Sequence, residues 1–313
     1  MKHIFRRSLV LFIVASSFLT CKKGNKIITD PIIKVEAATL LDVPYGSHSQ
    51  QKMDVYLPAN RSASTSLIIF VHGGSFIEGD KSDFTSLVKE LVRANFAVLN
   101  VNYRLVDATG LYDNPVKHFE SAVKIKDQVA DVATVVNYAL SKSKEWQVSD
   151  TKVGIAGHSA GATLALLYSY DSRNTNKVKT VVNLAGALDQ TFSDIPPFLL
   201  QFLPDYILEA GYRYTGYTID PANDQYYKAI SPLYVANASL KVPTLTVFPE
   251  NNEVGDLPKQ GRSTFDAFTN KLNSLGIPNK FVQLTGADHE FTKMGNVDAV
   301  LKETIAYFNA NLK

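Results

Sequence analysis

The run Val153-Gly154-Ile155-Ala156-Gly157-His158-Ser159-Ala160-Gly161 holds the residues best suited to chemistry. A short apolar, strand-like stretch enters a Gly-x-Ser-x-Gly turn, and an Ala/Leu-rich helical run, Ala162 to Tyr170, leaves it. Glycines two residues either side of Ser159 clear room for a sharp strand-to-helix corner. Such a corner lifts a serine hydroxyl above a sheet and aims a helix N-terminus at charge developing beside it. Ser159 is therefore a candidate nucleophile for acyl transfer. The competing reading is a glycine turn that packs a helix on a strand, with a serine there by accident. The legible strand before the turn and helix after it favour the nucleophile.

Acyl transfer also needs a base, a group to orient that base, and donors for an oxyanion. Among the six histidines, His289 fits the base. It sits in Gly286-Ala287-Asp288-His289-Glu290-Phe291, after the apolar run Phe281 to Leu284 and before a closing helical run. His3 falls in a basic leader, and His48 and His118 in polar stretches before the serine. The oxyanion donors would be backbone N–H groups: one from Ala160, the residue after the serine, and one from Gly73 or Gly74 in His72-Gly73-Gly74-Ser75-Phe76. Adjacent glycines there let the main chain face a substrate with no side chain between; a plain tight turn after a strand is the bland alternative. This chemistry requires no metal and no organic cofactor.

Composition narrows the classes. The chain has 313 residues, 45% hydrophobic and 20% charged, which fits one large α/β domain or two small ones. A net charge of +2 without a basic, aromatic-interleaved cluster argues against a nucleic-acid partner. The single cysteine excludes an intrachain disulfide framework and a multi-cysteine metal site.

That cysteine, Cys21, follows a basic start (Lys2, Arg6, Arg7) and an apolar run, Leu9 to Leu19. A helix needs roughly 20 apolar residues to span a bilayer, so this shorter run reads as a signal peptide over residues 1–20. Cys21 directly after it resembles the acylated cysteine of a bacterial lipoprotein, with Phe18-Leu19-Thr20 a loose match to the preceding small-residue motif. Residues 21–34 would then be a flexible tether, the membrane being met through the lipid anchor only. The expected location is exported: anchored on a bacterial membrane facing the periplasm or cell surface, or otherwise secreted.

From residue 35 the pattern alternates. Val35 to Tyr45 and Lys52 to Pro58 read as edge strands. Leu67 to Val71, Phe96 to Val101, Val153 to Ala156, Thr180 to Leu184, Thr244 to Phe248 and Phe281 to Leu284 read as further strands. Helical spacing covers Asp83 to Ala94, Phe119 to Ala139, the run carrying Phe265, Phe268 and Leu272, and Val297 to Asn309. Strands alternating with helices imply an α/β domain over 35–313 with a mostly parallel sheet. About 60 residues separate the strands at Thr180 and Thr244, too long for a plain connection. Their crowded aromatics, Phe192 to Tyr217, predict a cap insertion over about 190–230.

Several motifs in order carry a resemblance. Tyr45-Gly46 precedes Met53-Asp54-Val55-Tyr56-Leu57-Pro58; then come His72-Gly73-Gly74-Ser75-Phe76, Asn102-Tyr103-Arg104-Leu105, the Gly157–Gly161 turn and Asp288-His289. Together they resemble the α/β-hydrolase superfamily, in the esterase branch that groups carboxylesterases, feruloyl and acetyl-xylan esterases, and kynurenine formamidase. The resemblance runs from about residue 35 to the C-terminus. It implies the α/β-hydrolase fold, with an eight-stranded, mostly parallel sheet and helices on both faces. It also implies that His72 and His158 shape loops rather than carry protons.

The family places an aspartate a few residues past the strand Thr244 to Phe248, and here the chain departs from it. Counting forward from that strand gives Asn252; counting back from the following helix gives Asp256. A short loop insertion reconciles the two, and Asp256 is the first choice for the acid. Glu253, Asn252 as a neutral orienter, and Asp189 after the preceding strand are the alternatives. The function so implied is a serine carboxylesterase acting on a small-molecule or polysaccharide-linked ester. An aryl formamidase or amidase with the same triad is a second reading. A surface lipoprotein that binds ligand without catalysis is a third, supported only by the irregular acid loop.

Overall fold

The computed structural model describes residues 35–293 and 295–313. The leader, Cys21 and the tether lie outside the described residues.

In chain order the strands are β1 (Ala38–Pro44), β2 (Lys52–Leu57), β3 (Leu67–Val71), β4 (Ala97–Val101), β5 (Val153–His158), β6 (Val178–Leu184), β7 (Thr244–Asn251) and β8 (Asn279–Asp288). They form one eight-stranded sheet in the order β1-β2-β4-β3-β5-β6-β7-β8. β1 pairs antiparallel with β2, and β2 antiparallel with β4; every other neighbouring pair is parallel. The central strands β3 and β4 are buried along their whole length, which their unbroken runs LIIFV and AVLNV require of strands covered on both faces.

Helices α1 (Thr85–Arg93), α2 (Ile125–Trp146), α3 (Ala160–Ser169), α4 (Pro197–Leu200), α5 (Asp205–Thr215), α6 (Asp224–Lys228), α7 (Pro232–Val235), α8 (Arg262–Ser274) and α9 (Asn296–Asn311) complete the order. Side chains alternate faces along a strand. Ile68, Phe70, Val98, Val182 and Leu245 therefore meet Val88 and Leu91 of α1 and Val300 and Phe308 of α9. On the other face Ile69, Leu99, Ile155 and Val181 meet α2, α3 and α8 through residues such as Val132, Leu164 and Phe268.

One helix departs from its sequence pattern. The spacing predicts Phe119 to Ala139, but α2 begins at Ile125 and ends at Trp146. The first residues are claimed by tertiary partners: Phe119 N–H donates to Glu209 Oε1 at 2.8 Å, and the Ser121 hydroxyl donates to Val123 O at 2.6 Å. The Asp127 carboxylate then accepts the Lys124 N–H at 2.9 Å and starts the helix. At the far end Gln147 takes the left-handed conformation that closes it.

Between β6 and β7, α5 is tied to the body by a buried cation. The Arg213 guanidinium donates to the carbonyls of Asp107, Thr109 and Lys117 at 2.8, 2.9 and 2.7 Å, and to Glu209 Oε1 at 2.7 Å. A buried charge stands only when matched this fully. It fixes α5 over the C-terminal ends of the parallel strands.

Candidate active site

The turn from β5 into α3 is set by close backbone approach, within the turn and against β3. A Cβ at Gly157 would lie 2.5 Å from the Gly161 backbone, and one at Gly161 would lie 2.2 Å from the carbonyl oxygens of Val71 and His72. No side chain fits at either position. Between them Ser159 adopts φ +49° and ψ −123°, a strained conformation that costs on the order of 1–3 kcal/mol. Its N–H donates to Leu184 O at 2.9 Å, which holds the corner against β6.

β7 and β8 bring His289 and Asn252 together. Their register sets Asn251 opposite Asp288, so the next residue on each strand, Asn252 and His289, emerge side by side. His289 Nε2 lies 2.9 Å from Ser159 Oγ, and His289 Nδ1 lies 2.6 Å from Asn252 Oδ1. Asn252 in turn donates through Nδ2 to Gln260 O at 2.8 Å. The result is one hydrogen-bonded run from a hydroxyl through an imidazole to an amide. His158 pins the loop from below, its Nε2 2.8 Å from His289 O.

Asp256, the first choice from sequence, is not in this run. It is exposed and accepts the Tyr206 hydroxyl at 2.7 Å. Glu253 is exposed. Asp189 accepts from Lys259 Nζ at 3.1 Å and from Thr191. Asn252, weighed as a neutral orienter, is the residue at His289. Counting forward from β7 reaches the residue that contacts His289 Nδ1; counting back from α8 reaches the exposed Asp256.

The turn after β3 is held by its carbonyls. Gly74 O accepts from Ile77 and Glu78 N–H, both at 3.0 Å; Ser75 O accepts the Tyr214 hydroxyl at 2.8 Å; Phe76 O accepts Gln128 Nε2 at 2.7 Å. His72 stacks on Tyr103, whose hydroxyl donates to His72 O at 3.0 Å, and Arg104 forks onto Asp131. Gly73 packs behind Ser159; a Cβ there would lie 3.2 Å from Ser159 Cβ. Gly73 and Gly74 line a separate groove with His158 and Glu290, whereas Ser75 and Phe76 share a cavity with Ser159 and Ala160. Sequence reasoning passed over Ser75. Its place directly after the paired glycines was the available signal, and its φ of +49° shows the turn continuing through it. The cavity, about 50 Å³, is walled by Phe192, Ile207, Tyr214, Tyr227 and Leu257.

Comparison with known proteins shows what the chain is similar to. The BD-FAE family model matches residues 53–195. Kynurenine formamidase of Danio rerio is 27% identical over 260 residues, covering 80% of this chain and 74% of that protein. Over these stretches the chain is similar to α/β-hydrolase esterases. Solved structures agree on the α/β-hydrolase fold. A truncated carbohydrate esterase from gut microbiota superposes with a TM-score of 0.67 at 16% identity, covering 88% of this chain and 97% of that one. Carboxyl esterase 2 from Tuber melanosporum gives 0.66 at 19%, covering 89% of each.

Within this α/β-hydrolase fold, three histidines are buried close to the elbow: His72, His158 and His289. Burial lowers the pKa of His289 to about 3, with His158 acting in the same direction and Asp288 opposing. Burial likewise lowers His158, against the pull of Glu290, and lowers His72, against its bond to Gly73 O. The unfolded chain therefore takes up protons first as the pH falls through about 6.5, the ordinary histidine value. Their contribution to stability is whole above that pH and is lost below it, down to the lowered folded values. Each such histidine removes up to about 1.4 kcal/mol per pH unit across that window. Urea unfolding at pH 7.5, 6 and 5 should show a steep fall; equal stability at all three would contradict neutral buried imidazoles.

Proposed function

We propose that the protein is a serine carboxylesterase that hydrolyses esters of short acyl groups, with Ser159 as nucleophile, His289 as base and Asn252 as a neutral orienter. The observation that carries this reading is the continuous run Ser159 Oγ, His289, Asn252 at 2.9 and 2.6 Å, opening on an apolar cavity. His289 Nε2 takes the Ser159 proton as Oγ attacks the ester carbonyl carbon. The oxyanion is received by the Ala160 amide at the start of α3 and by an amide of the turn 73–75, whose carbonyls are engaged elsewhere. The imidazolium returns its proton to the departing alcohol oxygen, leaving an acyl-serine. Water then repeats the sequence and frees the acid.

The substrate class follows from space and polarity. The cavity at Ser159 is walled by Phe192, Ile207, Tyr214, Tyr227 and Leu257, an apolar lining that suits a compact acyl group. Gln190 lines it, and its Nε2 is buried with no partner among the described residues, a donor left for a substrate oxygen. The likeness to a kynurenine formamidase favours a second reading, attack by the same serine on a small aryl formamide.

Both are tested together. The protein is treated with a fluorophosphonate and then assayed on acetyl, butyryl and feruloyl esters and a formyl-aryl amide. An adduct on Ser159 with turnover fastest on the acetyl ester is expected. Turnover confined to the formyl amide would select the second reading. The absence of an adduct would remove catalysis and leave a ligand-binding hydrolase fold.

A further inference from the structure

The proton bookkeeping around Asn252 admits one arrangement. Asn252 is buried between two partners, with Oδ1 2.6 Å from His289 Nδ1 and Nδ2 2.8 Å from Gln260 O. A backbone carbonyl has no proton to give, so only the amide NH2 can face it. That turns Oδ1 to the ring, and Nδ1 must carry the imidazole proton. Nε2 is then left with its lone pair toward Ser159 Oγ, as a general base requires. The reversed amide would set two oxygens face to face at Gln260 and present an NH2 to Nδ1. The ring proton would move to Nε2, where it blocks acceptance from the serine. The Gln260 carbonyl thus decides the tautomer of a histidine it does not touch.

That carbonyl lies at the end of the loop between β7 and α8, which is exposed at Glu253, Gly255 and Asp256. What holds its end is the residue before it. Lys259 has φ +61°, a conformation lysine seldom adopts, and its side chain turns inward to 13% exposure. Its ammonium reaches Asp194 Oδ1 at 2.6 Å, Thr191 O at 2.7 Å, Thr191 Oγ1 at 3.0 Å and Asp189 Oδ2 at 3.1 Å. Asp189 is itself held by the Thr191 N–H and hydroxyl at 2.8 and 2.7 Å. Burial works against the lysine charge, yet Asp194 and Asp189 outweigh it and keep the group above its ordinary range.

We propose that Lys259 is a positioning residue. Its clasp on Asp189, Thr191 and Asp194 fixes the Gln260 carbonyl; that carbonyl sets the sense of the Asn252 amide; and the amide holds His289 as the Nδ1–H tautomer. The place is built for an amide, because a carboxylate has no proton for Gln260 O. The kinetic consequence rests on the esterase reading; the tautomer does not.

The test uses the full chain labelled with ¹⁵N-histidine, the His289 signal being identified by its loss in His289→Gln. The wild type is expected to show the proton on Nδ1. Lys259→Met should mix the tautomers and lower kcat on the order of 10²-fold, the effect of a small misplacement, with KM little changed. Lys259→Arg, which keeps the cation, should recover most of both. Asp194→Asn removes only the exposed arm of the clasp and should move both readouts the same way by less, so it carries the test if Lys259→Met does not fold. A wild-type proton on Nε2, or variants that fold and keep Nδ1–H, would overturn the proposal. A wild type without a fluorophosphonate adduct would instead count against the esterase reading, and the tautomer measurement would still stand.

Discussion

Ser159→Ala is expected to lower hydrolysis of a short-chain nitrophenyl ester by about 10⁶-fold and to abolish the fluorophosphonate adduct. That is the scale on which loss of a triad serine is felt when base, orienter and oxyanion donors act as one unit. The corner itself should survive. Gly157 and Gly161, not the hydroxyl, clear the space for it, and the Ser159 N–H bond to Leu184 O is backbone. The variant loses one hydrogen bond, to His289 Nε2, for about 1 kcal/mol of stability at most. Circular dichroism and thermal unfolding separate the two effects. Wild-type turnover in a folded Ser159→Ala protein would remove Ser159 from the chemistry altogether.

Asn252→Asp is the second large change, and it runs against the intuition that an acid repairs the site. A carboxylate 2.6 Å from Nδ1 would favour the imidazolium and raise the His289 pKa from about 3. The wild type should therefore show kcat/KM flat from pH 8 to pH 5 in short assays, whereas the variant should gain an acid limb within that range. The carboxylate's second oxygen would face Gln260 O, now 2.8 Å from an amide donor. Losing that buried bond should cost about 1–3 kcal/mol at pH 7. Urea unfolding and the pH–rate profile read the two consequences independently. A more stable variant with an unshifted profile would contradict the role assigned to the Asn252 amide.

How much of the site was legible depended on the range of the forces involved. Ser159 and Ala160 stood out because the glycines on both flanks lie within five residues, although Gly161 is required by the Val71 and His72 carbonyls at the end of β3 and only Gly157 by the elbow itself. His289 stood out because its loop follows a strand and precedes a helix. The beginning of α2 was not legible, since it depends on Glu209 capturing Phe119 from ninety residues away. The turn after β3 was read as a pair of glycines, but Ser75 reaches the cavity because Gly74 and the two residues after it stay in positive φ.

The partner of His289 shows the limit most clearly. Asn252, Glu253 and Asp256 lie within one loop, and residue type argued for the wrong member. By itself the sequence determined the alternating strands and helices, the nucleophile corner and the order of serine before histidine. All of these follow from periodicity and local sterics. Only the tertiary structure decided which side chain stands at His289 Nδ1. The β7–β8 register sets Asn252 beside His289, while Glu253 and Asp256 stay exposed in the loop that follows. Strand register and loop closure are long-range balances, and neither is written in the spacing of a few residues.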